Sequence, residues 1–354
     1  MRHVARAAAL LTALAACGGD TAAPATEPLV ASFDRMWATV DREYSYFAYK
    51  GIDWDAVRAQ YRPRAQQATS TAELVTVVQE ALGTLRDVHV WILTPDGRTL
   101  PTWRPSHRSN WSANFPVSYL RQGTWRAESP VLAHGIGEGG VPHIALGSFA
   151  DGQFDVSAFD RVLERYREAP ALILDVRMNG GGNDALALQV AGRFTTVRRT
   201  TGWVQFRRGP RHDAFTPLTE RSVSPRGGWQ FTRPVVLLTG RQTWSSAEGF
   251  VSAMRELPNV VVVGDTTGGG SGNPSVFPLR EGHGYSVSRW IEYTADRQPI
   301  EWRGIAPDVA VPFSDAALQA GEDETLAFAR LVAARTGELP AVMVVARERR
   351  SGGG

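Results

Sequence analysis

Two stretches of this chain constrain its fold more than anything else in it. They are "ALILDVRMNGGGNDALALQVAGRF", residues 171–194, and "PVVLLTGRQTWSSAEGFVSAMRELPNVVVVGD", residues 234–265. Each reads as a strand, a short turn and a helix, and the second closes on another strand. The strand segments are uninterrupted apolar runs rather than alternating ones, so both of their faces must be covered. A sheet covered on both faces needs helical crossovers, which makes the core an α/β arrangement of parallel strands. In both units a helix begins within a few residues of a strand's carboxyl end. Backbone N–H groups without helical partners therefore gather at one edge of the sheet.

The flanking regions are read by the same rules. Residues from about 28 to 86 space their apolar and aromatic side chains at helical intervals, and Ser70 with Glu73 gives a capping-box start to one helix. These define a helical N-terminal lobe over 29–88, followed by a core over 89–340 and a tail over 341–354. Within the core, "HVWILT", "VPHIALGSF", "VFPLR" and "YSVSRWIEY" are strand-like, "VSAFDRVLERYRE" is an amphipathic helix stopped by Pro170, and a last helix covers roughly 322–335. The segment "RTLPTWRPSHRSNWSANFP" reads as a loop or lid.

Composition excludes some functions. The 354 residues carry a formal net charge of +2, so no strong field draws the chain to nucleic acid. The N-terminus reads as a targeting segment over 1–17: Arg2 and Arg6 precede the short apolar stretch "AAALLTALAAC". Its end, Leu14-Ala15-Ala16-Cys17, resembles the bacterial lipobox, in which the cysteine becomes a lipid-modified N-terminus. Cys17 is the only cysteine, so disulfides play no part. "GGDTAAPATEP", residues 18–28, reads as a flexible tether. The expectation is an exported lipoprotein of the bacterial cell envelope, held at a membrane face.

"TWSSAEGF", residues 243–250, poses the functional question. Ser-x-x-Glu is a capping box, and that alone would explain Ser245 and Glu248. A hydroxyl at a helix N-terminus is also well placed to act as a nucleophile, since the dipole favours negative charge there. An anion forming beside it could take hydrogen bonds from the Ser246 N–H and from an N–H of the turn "NGGG", the layout of an oxyanion hole. The glycine turn is no phosphate loop, because it lacks the Gly-Lys-Ser/Thr ending.

Three segments taken together resemble the C-terminal-processing (tail-specific) and tricorn-type serine peptidases: "ALILDVRMNGGG", "TWSSAEGF" with "VVVVGDTTGGG", and "IEWRGIAPDVAVP". The resemblance implies a crotonase-like fold and a peptide or protein substrate, with no metal or organic cofactor. Tail-specific members use a Ser-Lys dyad, but the matching lysine position here is Gly270, and the one lysine of the chain, Lys50, lies in the helical lobe. The resemblance therefore points to the tricorn-type solution. It implies Ser245 as nucleophile, His89 of "LRDVHVW" as base and Glu301 of "IEWRGIAPD" as the group orienting His89. The implied oxyanion donors are the N–H groups of Gly181 or Gly182 and of Ser246. Asp175 and Arg177 are expected to brace the turn. Tricorn-type sites place a serine directly before the histidine; here that residue is Val88. Only about fifty residues separate His89 from "VPHIALGSF", too few for a PDZ domain. Two alternatives stay open: a peptide-binding protein without turnover, and a crotonase-fold hydrolase of other acyl compounds.

Overall fold

The computed structural model describes residues 27–115, 125–137 and 140–334. The lipobox with Cys17, all of the tether but its last two residues, and the tail over 341–354 lie outside them.

Four helices open the described chain: α1 (Leu29–Glu43), α2 (Phe47–Lys50), α3 (Trp54–Gln67) and α4 (Thr71–Gly83). The caps are those the sequence offers, with Asp53 accepting from Ala56 N–H and Ser70 from Glu73 N–H. This lobe is not sealed at residue 88. Its core, built on Phe33, Tyr44, Phe47, Trp54 and Leu82, continues into Ile92, Leu279, Tyr285, Val287 and Ile291. Ile92, Tyr285 and Val287 belong to a sheet ordered β11-β12-β1-β2, formed by β1 (Trp91–Leu93), β2 (Thr99–Pro101), β11 (Ser275–Pro278) and β12 (Gly284–Val287); Leu279 follows β11, and Ile291 lies in a separate sheet. The helical lobe and residues nearly 200 positions later thus share one hydrophobic cluster, with Ile92 opposite Tyr285.

The main sheet has seven strands in the order β14-β10-β9-β6-β5-β4-β3. The hairpin of β3 (Arg126–Ser129) and β4 (Leu132–Ile136) is antiparallel at one edge. The other five strands run parallel: β5 (Pro142–Leu146), β6 (Leu172–Asp175), β9 (Val235–Thr239), β10 (Val260–Gly264) and β14 (Val309–Ala310). The period-2 geometry of a strand divides their apolar runs between two cores. Leu172, Leu174, Val235, Leu237, Val260 and Val262 face one cluster, under α5 (Val156–Arg165), α6 (Asp184–Ala191) and α7 (Ser246–Arg255). Ile173, Val236, Leu238, Val261 and Val263 face the other, under α9 (Glu324–Ala334). A three-stranded sheet, β13-β7-β8, is made from β7 (Arg199–Phe206), β8 (Thr219–Val223) and β13 (Trp290–Thr294). It is tied to α7 by the Ser252 hydroxyl, which donates to Thr201 O at 2.6 Å. A short helix, α8 (Asp315–Ala320), precedes α9. None of the helices among the described residues is long and apolar enough to cross a membrane.

Candidate active site

Parallel pairing of β6 with β9 and of β9 with β10 brings three carboxyl ends to one edge of the sheet. The turn after β9 is welded to the turn after β6. Thr243 Oγ1 donates to Val176 O at 2.8 Å, and Trp244 N–H donates to Asn179 O at 3.0 Å. The next residue, Ser245, has φ 56° and ψ −128°. A side chain held at positive φ outside glycine costs about 1–3 kcal/mol and persists only where the surroundings enforce it. Here they do, because Ser245 N–H donates to Gly270 O at 2.9 Å and to Glu248 Oε2 at 3.3 Å. The capping box of Ser245 with Glu248 is present, the serine side chain facing the Glu248 backbone N–H. The backbone is held, and the hydroxyl proton has no acceptor among the described residues.

Glu248 has a larger task than capping. Wholly buried, its carboxylate accepts from Thr267 Oγ1, from Gly269 N–H at 2.8 Å and from Gly270 N–H at 2.9 Å. Burial pushes this carboxyl upward in pKa and the donors pull it down. The result fastens the loop over 267–272 onto the Ser245 turn. A Cβ on Gly270 would stand 2.5 Å from Val88 Cγ2 and 2.6 Å from Trp244 Cε3. Position 270, which the resemblance matches to a lysine, has no room for a side chain in this chain.

The glycine turn lies directly against the serine. A Cβ on Gly181, whose φ is +97°, would fall 2.7 Å from Ser245 Cβ and 3.0 Å from Ser246 N. Ser246 Oγ donates to Gly182 O at 2.6 Å, locking helix to turn. One expected oxyanion donor is corrected by the geometry. Gly181 gives its N–H to Asn179 Oδ1 at 2.9 Å, so it is already committed. The N–H groups of Gly180, Gly182 and Ser246 have no hydrogen-bond partner among the described residues. Behind the turn, buried Arg177 is clamped between Asp175 (2.6 Å) and Asp323 (2.7 Å). Burial alone would raise the Asp175 carboxyl, but Arg177 and His143 hold it well below the usual carboxylate range.

A cleft of about 660 Å³ opens beside this assembly. Its lining includes Gly180 and Trp244 of the two turns, Val88 and His89, and Trp103, Arg104 and His107 of the segment read as a loop or lid, while Ser245 itself is not part of the lining. His89 and the serine turn therefore meet at one cleft, although no hydrogen bond joins the two side chains. The His89 Nδ1 atom is buried without a partner. Burial lowers the imidazole pKa below its ordinary value; Asp87 pulls it up, Lys50 down and Asp184 up.

The orienting role expected of Glu301 is overturned. Its Oε1 lies 2.6 Å from Lys50 Nζ and its Oε2 accepts from Ser271 N–H at 3.1 Å, leaving His89 without it. The reason is that Lys50, dismissed on sequence because it lies in the helical lobe, has its side chain fully buried here. The lobe packs onto the site edge and delivers the ammonium between Glu301 and Asp87, the latter at 3.7 Å. The available signal was compositional: one lysine in a chain that otherwise uses only arginine among its 38 Lys+Arg residues. Among the described residues no group of three or more His, Cys, Asp or Glu side chains could hold a metal ion.

Comparison with known proteins agrees with this architecture. Residues 141–311 match the model of peptidase family S41, and residues 31–83 that of the tricorn protease C1 domain. The carboxy-terminal processing protease CtpB of Bacillus subtilis is 26% identical over 190 residues, which are 53% of this chain and 36% of that protein. A Streptomyces coelicolor protein named as a tricorn protease homolog is 24% identical over 351 residues, 73% of this chain and 28% of that one. A Parabacteroides merdae protein solved as a suspected peptidase superposes with a TM-score of 0.76 at 28% identity, covering 86% of this chain and 96% of the other. Mature CPAF superposes with a TM-score of 0.65 at 12% identity, over 89% and 98% of the two chains, a likeness of fold alone. The chain is thus a mixed α/β protein with the fold of S41 peptidase neighbours. In two stretches it matches the C-terminal-processing and tricorn-type peptidases, and it spans about a third of the length of the curated relatives it matches.

Proposed function

We propose that this protein is a serine peptidase in which Ser245 attacks the peptide carbonyl and His89 takes the hydroxyl proton. The observation that carries the reading is Ser245 itself: a non-glycine residue at φ 56°, heading a buried helix, with no acceptor for its hydroxyl proton among the described residues and with unpaired backbone N–H groups beside it. In the first half-reaction the Oγ–C bond forms and the proton passes to His89 Nε2. The oxyanion is held by the N–H groups of Ser246 and of the glycine turn, where Gly180 and Gly182 are the donors left open. Collapse breaks the C–N bond, and His89 returns the proton to the leaving amine. Water then repeats the sequence in reverse and frees Ser245. His89 suits the task because burial keeps the imidazole neutral, and so basic, at neutral pH. The finer placement of the core as crotonase-like, supported by its repeated strand–turn–helix units, belongs to the same reading.

A fluorophosphonate probe tests it. Wild type should be labelled at Ser245, Ser245→Ala should not, and His89→Ala should react at least about a hundredfold more slowly. A wild type that stays unlabelled under all conditions would leave a peptide-binding protein. That second reading draws on the unpartnered His89 Nδ1 and on the engagement of Glu301 by Lys50. The lipobox ending at Cys17 supports a membrane-tethered protein of the bacterial cell envelope. Cys17→Ser should move the protein from the membrane fraction to the soluble one; an unchanged distribution removes the tether.

A further inference from the structure

His89 lacks the side-chain support that a base in a hydrolytic site ordinarily receives. Its Nδ1 is buried and unpartnered, the residue before it is an apolar valine, and Glu301 is turned elsewhere. What holds the segment over 85–90 is a different group. Lys50 Nζ donates to Leu85 O and Arg86 O, each at 3.2 Å, and meets Glu301 Oε1 at 2.6 Å. An ammonium has three donors, and all three are used. Tyr44, Tyr46 and Trp302 surround the charge, with ring centroids 5.7, 5.2 and 4.8 Å from Nζ. The chain then continues from the two gripped carbonyls into Asp87, whose Oδ1 accepts the His89 N–H at 2.8 Å. The Trp302 indole closes the far side by donating to Arg86 O at 3.0 Å.

We propose that Lys50 is a positioning residue for His89, fixing the backbone that carries the imidazole in place of the side-chain hydrogen bond this site lacks. The inference rests on His89 acting as the base, and it gives Glu301 the role of holding the lysine rather than the histidine. It also explains why lysine stands here in a chain built on arginine. Three acceptors converging on one point inside an aromatic cage suit a compact ammonium. A planar guanidinium would place its donors too far apart and too flat. The charged groups facing His89 are Asp87, Lys50 and Asp184, so removing the lysine leaves the imidazole among carboxylates.

The test compares Lys50→Met, Lys50→Arg and Glu301→Gln in the full-length protein. Three readouts are needed: fluorophosphonate labelling kinetics, thermal melting, and titration of His89 by NMR of histidine labelled at Cε1. Lys50→Met should cut the labelling rate at least about tenfold while the melt still shows a folded protein. Its His89 should titrate at higher pH than in wild type. Lys50→Arg should not rescue the rate. Glu301→Gln, whose amide oxygen can still accept from Nζ, should lose less than Lys50→Met. The reverse ranking, or a Lys50→Met variant with wild-type labelling and an unmoved His89 titration, overturns the proposal. Should Lys50→Met alone fail to fold, the double variant Lys50→Met/Glu301→Gln removes the carboxylate nearest the lost ammonium and is read by the same criteria. Should the wild type itself prove unreactive, the peptidase reading falls, and the His89 titration still decides whether Lys50 governs that imidazole.

Discussion

Two buried cations flank the cleft, and the contrast between them separates scaffold from adjustable part. Arg177 stands behind the serine turn, clamped at 2.6 and 2.7 Å by two carboxylates, with a further bond to Asn110 O at 3.2 Å. Its planar fork matches both partners, and the carboxyl of Asp175 is held well below its usual range. Lys50 stands behind the histidine and is less symmetrically paired. One carboxylate touches it at 2.6 Å, the other lies at 3.7 Å, and Asp87 Oδ2 is buried with no hydrogen bond. One ammonium between two buried carboxylates cannot neutralise both. Burial and the nearby Asp87 accordingly push the Glu301 carboxyl up, to about 8, against the pull of Lys50. The Arg177 clamp is therefore fully ionic, whereas Glu301 beside Lys50 can exchange a proton near pH 8.

The largest effect should come from the rigid clamp. Arg177→Met strands two buried carboxylates, and breaking a buried pair from one side costs about 3–5 kcal/mol. Denaturant unfolding at pH 7 should show that loss. Lys50→Met should lose clearly less, because Glu301 can take up a proton and become neutral. Equal losses from the two substitutions would erase the distinction.

A second effect depends on pH. A carboxyl whose folded pKa lies above its unfolded value adds stability below the unfolded pKa and loses it as pH rises through the folded one. For Glu301 that window closes near pH 8. The stability gap between wild type and Lys50→Met should then widen from pH 7 to pH 9, while the Arg177→Met gap stays flat over the same range. His89 runs the opposite way. Its pKa is lowered by burial, so labelling of Ser245 should hold at pH 7 and fail only below about 6.5, the ordinary histidine value. A labelling profile that already falls between pH 8 and 7 would contradict a buried neutral base.

The two sides also differ in how well the sequence discloses them. Strands β6, β9 and β10 are legible because every residue of "LIL", "VVLL" and "VVVV" is buried, and no other element suits such short apolar runs. The glycine turn, Ser245 and the Arg177 brace follow from those strands within a few residues, so local pattern suffices. The histidine side is assembled from afar. Strand β1 pairs with β12 across more than 190 residues, and Lys50 reaches Glu301 across 250. No periodicity encodes such contacts, which is why the core shared across residue 88 and the partner of Glu301 are not legible in the sequence. Strands β7 and β8 are illegible for another reason: they are half-buried and largely polar, and carry no apolar run to signal them. The committed Gly181 N–H was hidden as well, since its acceptor is the side chain of Asn179, two residues away in a turn of unreadable geometry.

The smallest expected effect concerns what the cleft admits. Its lining carries Arg104 and Arg241 beside His107 and no Asp or Glu, together with the indoles of Trp91, Trp103 and Trp244. The two arginines are not equivalent. Arg241 is engaged by Asp265 at 3.5 Å and by Thr267 O at 3.4 Å, whereas Arg104 is exposed and has no ion-pair partner among the described residues. An acidic residue in a bound peptide would meet Arg104 first, in a wet site where an exposed charge pair gives about 0.2–1 kcal/mol. Arg104→Glu reverses that charge, so KM for peptides bearing Asp or Glu near the cleaved bond should rise about two- to tenfold, with kcat little changed and basic peptides favoured instead. The ratio should shrink as salt is raised, because the pair is solvent-exposed. Selectivity that ignores the substitution would place the peptide along another wall of the cleft. Because Arg104 is exposed and has no ion-pair partner among the described residues, its replacement should leave the melt and the labelling of Ser245 unchanged, and so separate recognition from the machinery behind it.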